Sequence, residues 1–158
     1  IDLGKRGLEE LLGHTVHGFC YPGGKANRTT EGLVREAGFR YARTIENLRF
    51  DLGTNPYLMP VTLQFYPHRA SVFMKNYVRY GHYFSKLPLL TRIVSGKDYF
   101  DILYRLTERC HEVDGIFHLW GHSWEIESLG LWAELENYLR MIASLKPRSV
   151  SLADAISL

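Results

Sequence analysis

Cysteine is scarce in this chain, and its scarcity removes two kinds of small-protein architecture. The 158 residues include two, Cys20 and Cys110. They stand far apart with no C-x-x-C spacing, so neither a zinc knuckle nor a disulfide framework is indicated, and the expectation is two buried thiols. Long apolar runs are also missing: none approaches the ~18 residues of a membrane-spanning helix, and no signal-peptide pattern opens the sequence. Charge of one sign is lacking as well. A net charge of +2, with no clustering of the basic residues, argues against a nucleic-acid surface. There is no P-loop, no G-x-G-x-x-G and no G-x-S-x-G nucleophile elbow. Internal repeats and low-complexity tracts are absent too.

What is present is an ordinary globular composition, 46% hydrophobic, 23% charged and 13% aromatic. The length predicts one domain over residues 1–158, with enough chain to remove about 70% of its unfolded surface from water. The chain opens Ile1-Asp2-Leu3 without a methionine and runs almost at once into a helical pattern. That opening reads as a fragment or trimmed chain, which leaves localisation open.

Leu8, Leu11 and Leu12 predict a helix over 5–12, with Gly13 as its stop. Residues 16–21 read as a short buried strand ended by the turn Pro22-Gly23-Gly24. Thr29 or Thr30 can cap the next helix, with Leu33, Val34 and Ala37 inward and Gly38 at its end. Residues 39–45 are a second strand, and the alternation of helix and strand predicts α/β units. Residues 57–66 carry strand-like residues interrupted by Pro60, giving an edge strand or an extended loop. Residues 72–84 have a helical pattern with Phe73, Tyr77 and Tyr80 on one face, and 86–96 read as a loop. A helix is predicted over 99–113, turned inward by Phe100, Leu103, Tyr104 and Leu106. A strand over 115–120 follows, then a helix over 131–145 with the stripe Leu135, Tyr138, Leu139 and Ile142. Pro147 ends it, and 149–152 offer a last short strand.

Two stretches carry chemistry. In Gly115-Ile-Phe-His-Leu-Trp-Gly-His-Ser-Trp-Glu-Ile126, strand alternation puts His118, Trp120 and His122 on one face. Imidazoles suit metal ligation or proton transfer. Trp120 and Trp124 offer flat surfaces for the C–H face of a sugar, and Glu125 a partner for its hydroxyls. The competing reading is a core histidine among space-filling tryptophans. In Phe19-Cys20-Tyr21-Pro22-Gly23-Gly24-Lys25, glycines let a ligand approach the backbone, and exposed amides suit an oxyanion; the bland alternative is a plain turn. His68, after Tyr66-Pro67, is placed to face a cleft. His14, His17, His82 and His111 read as surface residues, and Asn27-Arg28-Thr29 matches a glycosylation sequon.

In this order, Phe19-Cys-Tyr-Pro-Gly-Gly24, Leu33-Val-Arg-Glu-Ala-Gly-Phe-Arg-Tyr-Ala-Arg-Thr44 and His118-Leu-Trp-Gly-His-Ser-Trp-Glu125 resemble the C-terminal half of the polysaccharide deacetylases, carbohydrate esterase family 4 with NodB homology. The resemblance implies an α/β fold, part of a distorted (β/α) barrel of the glycoside hydrolase/deacetylase kind lacking its N-terminal strands. It implies metal-dependent hydrolysis of N-acetyl groups on a carbohydrate substrate. By it, Tyr21, Pro22 and Gly23 belong to the substrate groove, with the Gly23 amide as oxyanion donor. Trp120, Trp124 and Glu125 contact the sugar. His122 falls nearest the general acid that protonates the leaving amine, and His118 is the alternative for that role. A divalent, zinc-like metal is expected of the intact family domain, but by the resemblance the Asp-Asp motif and the H-x(3–5)-H pair that supply base and ligands lie upstream of anything in this chain. The arginine usual in the groove motif falls on Cys20, and Arg43 on the neighbouring strand is a candidate replacement. A barrel cut through its first strands is expected to dimerise or aggregate through exposed sheet edges. Two other readings stand beside this one: a non-catalytic carbohydrate-binding module, and a metal site built from His118, His122 and Glu125 alone.

Overall fold

The computed structural model describes residues 1–79 and 83–157. They divide into two compact units, one of residues 1–46, 52–60 and 150–158, the other of residues 47–51 and 61–149.

The first unit begins with helix α1 (Asp2–Leu12), which runs three residues further toward the N-terminus than its leucines indicate. Gly13 takes the left-handed φ of 70° that closes such a helix at no steric cost. The helix buries none of its residues; Leu8, Leu11 and Leu12 are exposed. The Glu9 carboxylate ties it to the following segment, accepting from Lys5 Nζ and from the Val16 amide at 2.8 Å. Strand β1 (Gly18–Cys20) then pairs in parallel with β2 (Tyr41–Arg43), and α2 (Arg28–Glu36) is the crossover between them. Both strands are shorter than the predicted 16–21 and 39–45. Gly18 leaves room for the Tyr41 ring, which a Cβ there would meet at 2.5 Å.

The cap of α2 is Asn27 rather than Thr29 or Thr30. Its side chain accepts from the Thr30 amide, and Thr30 Oγ1 accepts from the Asn27 amide, a reciprocal capping box. The asparagine of the sequon therefore already serves the backbone. Val34 is the buried residue of α2, while Leu33 is exposed. Tyr21, Val34, Phe39 and Ala42 form the core of this unit. The expected strand at 149–152 is instead the approach to a short helix, α8 (Leu152–Ala155), because Ser151 Oγ accepts from the Asp154 amide and starts a helical turn.

The second unit holds a larger core of Leu48, Leu63, Phe65, Phe73, Leu89, Ile93, Tyr99, Ile102, Leu103, Leu106, Ile126 and Tyr138 among others. Its helices are α3 (Ala70–Arg79), α4 (Tyr83–Val94), α5 (Tyr99–Glu112), α6 (Ser123–Ser128) and α7 (Trp132–Ser144). The predicted loop over 86–96 is largely α4. Pro88 and Gly96 suggest a break, but Leu89 and Ile93, one turn apart, are both buried and their burial outweighs the proline. Tyr80 and His82 lie outside the described residues. On α7, Tyr138 is buried and Leu135 and Ile142 pack against the core, whereas Leu139 falls off the predicted stripe and is exposed. Cys110 is buried in this unit, while Cys20 in the first is exposed, against the expectation of two buried thiols.

Strands β3 (Leu63–Gln64) and β4 (Leu119–Trp120) pair in parallel, Leu63 opposite Leu119 and Gln64 opposite Trp120. Only the last two residues of the predicted strand over 115–120 are strand. The preceding chain is held by single contacts: the Ile116 amide donates to the Phe50 carbonyl at 2.9 Å, and Thr62 brackets His118 from both sides. Both described sheets are thus two-stranded and parallel, the connectivity of α/β units. Among the described residues the strands do not close into a barrel. No described helix is long and apolar enough to cross a membrane.

Candidate functional site

The aromatic cluster lies in the second unit, where β4 hands the chain to α6. Strand alternation aims Leu119 at the core and Trp120 away from it, and Gly121 follows against Phe65. The Trp120 and His122 rings then meet edge-on with centroids 5.3 Å apart, as the two-residue period requires. The sequence reading groups Trp124 with Trp120 as a flat surface and gives it no element. In the structure it is the second residue of α6, and that position lays its indole flat on the His122 imidazole, 3.9 Å between centroids and 21° between planes. His122 is half-buried between two tryptophans, and Trp124 keeps 65% of its surface exposed. The outcome is an imidazole backed by one indole and covered by another that still faces solvent. Ile126, buried one turn after His122, anchors α6 to the core.

Glu125 points to a second set of groups. Gln64 Nε2 donates to Glu125 Oε2 at 2.9 Å, and Gln64 Oε1 lies 3.2 Å from His68 Nε2. Residues 61 positions apart are joined here because the parallel register sets Gln64 beside Trp120. His68 returns over Gln64 because the chain after β3 is wound tightly. The Tyr66 amide donates to the Gln64 carbonyl at 2.9 Å and the His68 amide to the Tyr66 carbonyl at 2.7 Å. Pro67, with its fixed φ, suits the second of these three-residue turns. The Tyr66 and His68 rings lie 4.8 Å apart. Behind the strand, the buried Tyr99 hydroxyl donates to the Gln64 carbonyl and accepts from the Tyr66 amide. Burial raises the Tyr99 pKa, so this clamp keeps its proton. For His68, burial lowers the pKa and the nearby Glu125 carboxylate partly opposes that shift.

His118 sits differently. Its amide donates to Thr62 Oγ1 at 2.9 Å and its carbonyl accepts from the Thr62 amide at 2.9 Å. Thr62 is wholly buried, so this exchange fixes the backbone of His118 as part of the fold. Of the two histidines, His122 is the one paired with an exposed aromatic surface. The third reading, a metal centre of His118, His122 and Glu125, is not assembled: among the described residues no three His, Cys, Asp or Glu side chains converge as metal ligands.

The Pro22-Gly23-Gly24 turn belongs to the first unit. Gly23 and Gly24 both have left-handed φ, 60° and 66°. A Cβ on Gly24 would collide with Ile45 at 2.2 Å, whereas one on Gly23 would meet nothing within 4 Å. The Gly23 backbone is therefore open to approach. Tyr21, in contrast, is a core residue with its ring edge-on to Phe19, and its hydroxyl is buried without a hydrogen-bond partner among the described residues. The β1–β2 register sets Arg43 directly opposite Cys20. His14 and His111 are exposed, as expected of surface residues.

Sequence reading missed Gln64, and no local pattern marks it. His68 was singled out for a cleft, but its partner was not visible. No protein-family model, no curated protein and no solved structure matches the chain.

Proposed function

We propose that this chain carries the sugar platform and the proton donor of an N-acetyl-sugar deacetylase, on a fold that is part of a (β/α) barrel. The observation that supports it is the stack in which His122 lies against the exposed Trp124. An aromatic face open to solvent suits the apolar C–H face of a pyranose. In such a reaction a carboxylate base supplied by the joined segment takes a proton from water as it adds to the acetamide carbonyl, and the C–N bond breaks. The departing amine takes its proton from the His122 imidazolium, giving acetate and a free amino sugar. The motif order around Tyr21-Pro22-Gly23 supports the same class. The described residues do not fit a divalent metal, since no ligand set converges among them, so no step is drawn through one.

The test is acetate release from N-acetylated chitotetraose by a polypeptide in which this chain is joined to a segment supplying an Asp-Asp base and metal ligands. His122→Ala is expected to lower kcat by about 10²-fold or more, the range of a positioned general acid, with His118→Ala milder. The reverse order would move the acid to His118. A non-catalytic carbohydrate-binding module is the second reading, favoured by the exposure of Trp124. Saturable binding with no acetate release from that longer polypeptide would select it.

A further inference from the structure

The Glu125–Gln64–His68 chain is not part of the proton-donor role given to His122, and its chemistry is constrained enough to assign. An ionised carboxylate only accepts hydrogen bonds, so the Gln64 group facing Glu125 must be its amide NH2. The other end of the same amide is then an oxygen, which also only accepts. His68 Nε2, 3.2 Å from that oxygen, must carry the proton. In the neutral imidazole the lone pair is left on Nδ1, and among the described residues Nδ1 has no protein partner and is not sealed from solvent. Glu125 Oε1 is likewise without a hydrogen bond among the described residues.

We infer that Gln64 is a positioning residue that locks His68 in the Nε2–H tautomer, so that His68 Nδ1 and Glu125 Oε1 form a pair of acceptors for the hydroxyl groups of a sugar. The ligand part rests on the proposed function; the tautomer lock does not. Two acceptors flanking one amide select a ligand rich in O–H donors, and the buried Tyr99 clamp holds the strand end that sets their spacing. Burial favours the neutral imidazole that this role needs.

Two measurements on the full chain separate the parts. Imidazole 15N NMR without ligand is expected to show His68 protonated on Nε2 alone, and a mixture of tautomers in Gln64→Leu. An Nδ1-protonated ring in the wild type, or an unchanged spectrum in Gln64→Leu, overturns the lock. Should Gln64→Leu fail to fold, Glu125→Gln serves, because an amide at 125 can donate as well as accept and lets Gln64 turn over. Tryptophan fluorescence titration with N-acetylated chitotetraose is the second measurement. His68→Phe, which keeps a ring against Tyr66 but removes the acceptor, is expected to bind about tenfold more weakly, the loss of one hydrogen bond. Equal affinity in His68→Phe and wild type overturns the ligand role alone. No binding by the wild type overturns that role together with the proposed function, while the NMR result still decides the lock.

Discussion

The two halves of the candidate chemistry are built by different means. In the first unit the Pro22-Gly23-Gly24 turn is a backbone device: two left-handed glycines, a proline at the start, and a tyrosine buried beneath. In the second unit the His122 site is a side-chain device, with rings stacked at 3.9 Å and a carboxylate, an amide and an imidazole linked in series. A backbone device depends on a few residues adjacent in sequence. A side-chain device depends on everything that sets a register, here the β3–β4 pairing and the core beneath it. The two should therefore fail under different insults.

The largest expected difference comes from the core of the second unit. Leu103 is wholly buried, and Leu103→Ala is expected to cost about 2–5 kcal/mol in denaturant unfolding. The two thiols report the units separately. Cys20 is exposed and should alkylate in the native protein, whereas Cys110 is buried, its pKa pushed up to about 12 by desolvation first and Asp114 second. Leu103→Ala should speed labelling of Cys110 and leave Cys20 unchanged. Equal labelling of both thiols in the wild type would contradict the division.

A smaller effect tests the turn. Gly23→Ala meets open space and should lose only the left-handed strain, about 1–2 kcal/mol. Gly24→Ala adds the collision with Ile45 and should lose more. Both are expected to leave the environment of Trp124 unaltered by fluorescence. Equal losses at the two positions would mean that Ile45 yields freely.

This contrast also explains what was legible in the sequence. The turn could be read because glycine and proline encode backbone conformation directly, and residues 99–113 read as a helix because their apolar spacing is regular. The reading of 86–96 as a loop missed the one-turn spacing of Leu89 and Ile93, whose burial holds α4 despite Pro88. Trp120 and His122 were correctly placed on one face by strand alternation. Trp124 could be assigned to the cluster but not to its stacked geometry, because nothing local marks the switch from strand to helix at Ser123. Gln64 was invisible: its meaning comes from lying opposite Trp120 across a parallel pair, and register is not written in either segment alone.

The smallest effect is electrostatic. His68 is held below the ordinary imidazole value of about 6.5, first by desolvation, with Glu125 opposing. Its folded pKa lies below its unfolded one, so its contribution to stability is complete above about pH 6.5 and is lost as pH falls through the folded value. Denaturation midpoints measured between pH 7.5 and 5 should decline on acidification, with a shallower slope in His68→Phe. The lowered carboxylates Glu9, Glu31, Asp101 and Glu112 act in a separate window, below their ordinary range. An identical slope in His68→Phe would remove His68 from the account.

The central claim, that the His122–Trp124 stack is a sugar platform, is tested most directly by following tryptophan emission while titrating the chain with N-acetylated chitotetraose. Trp132 is the internal control, since it is also exposed but lies on α7 outside the cluster. A saturable change that is lost in Trp124→Ala and retained in Trp132→Ala is the predicted result. No change in the wild type, or a change that survives Trp124→Ala, would contradict it.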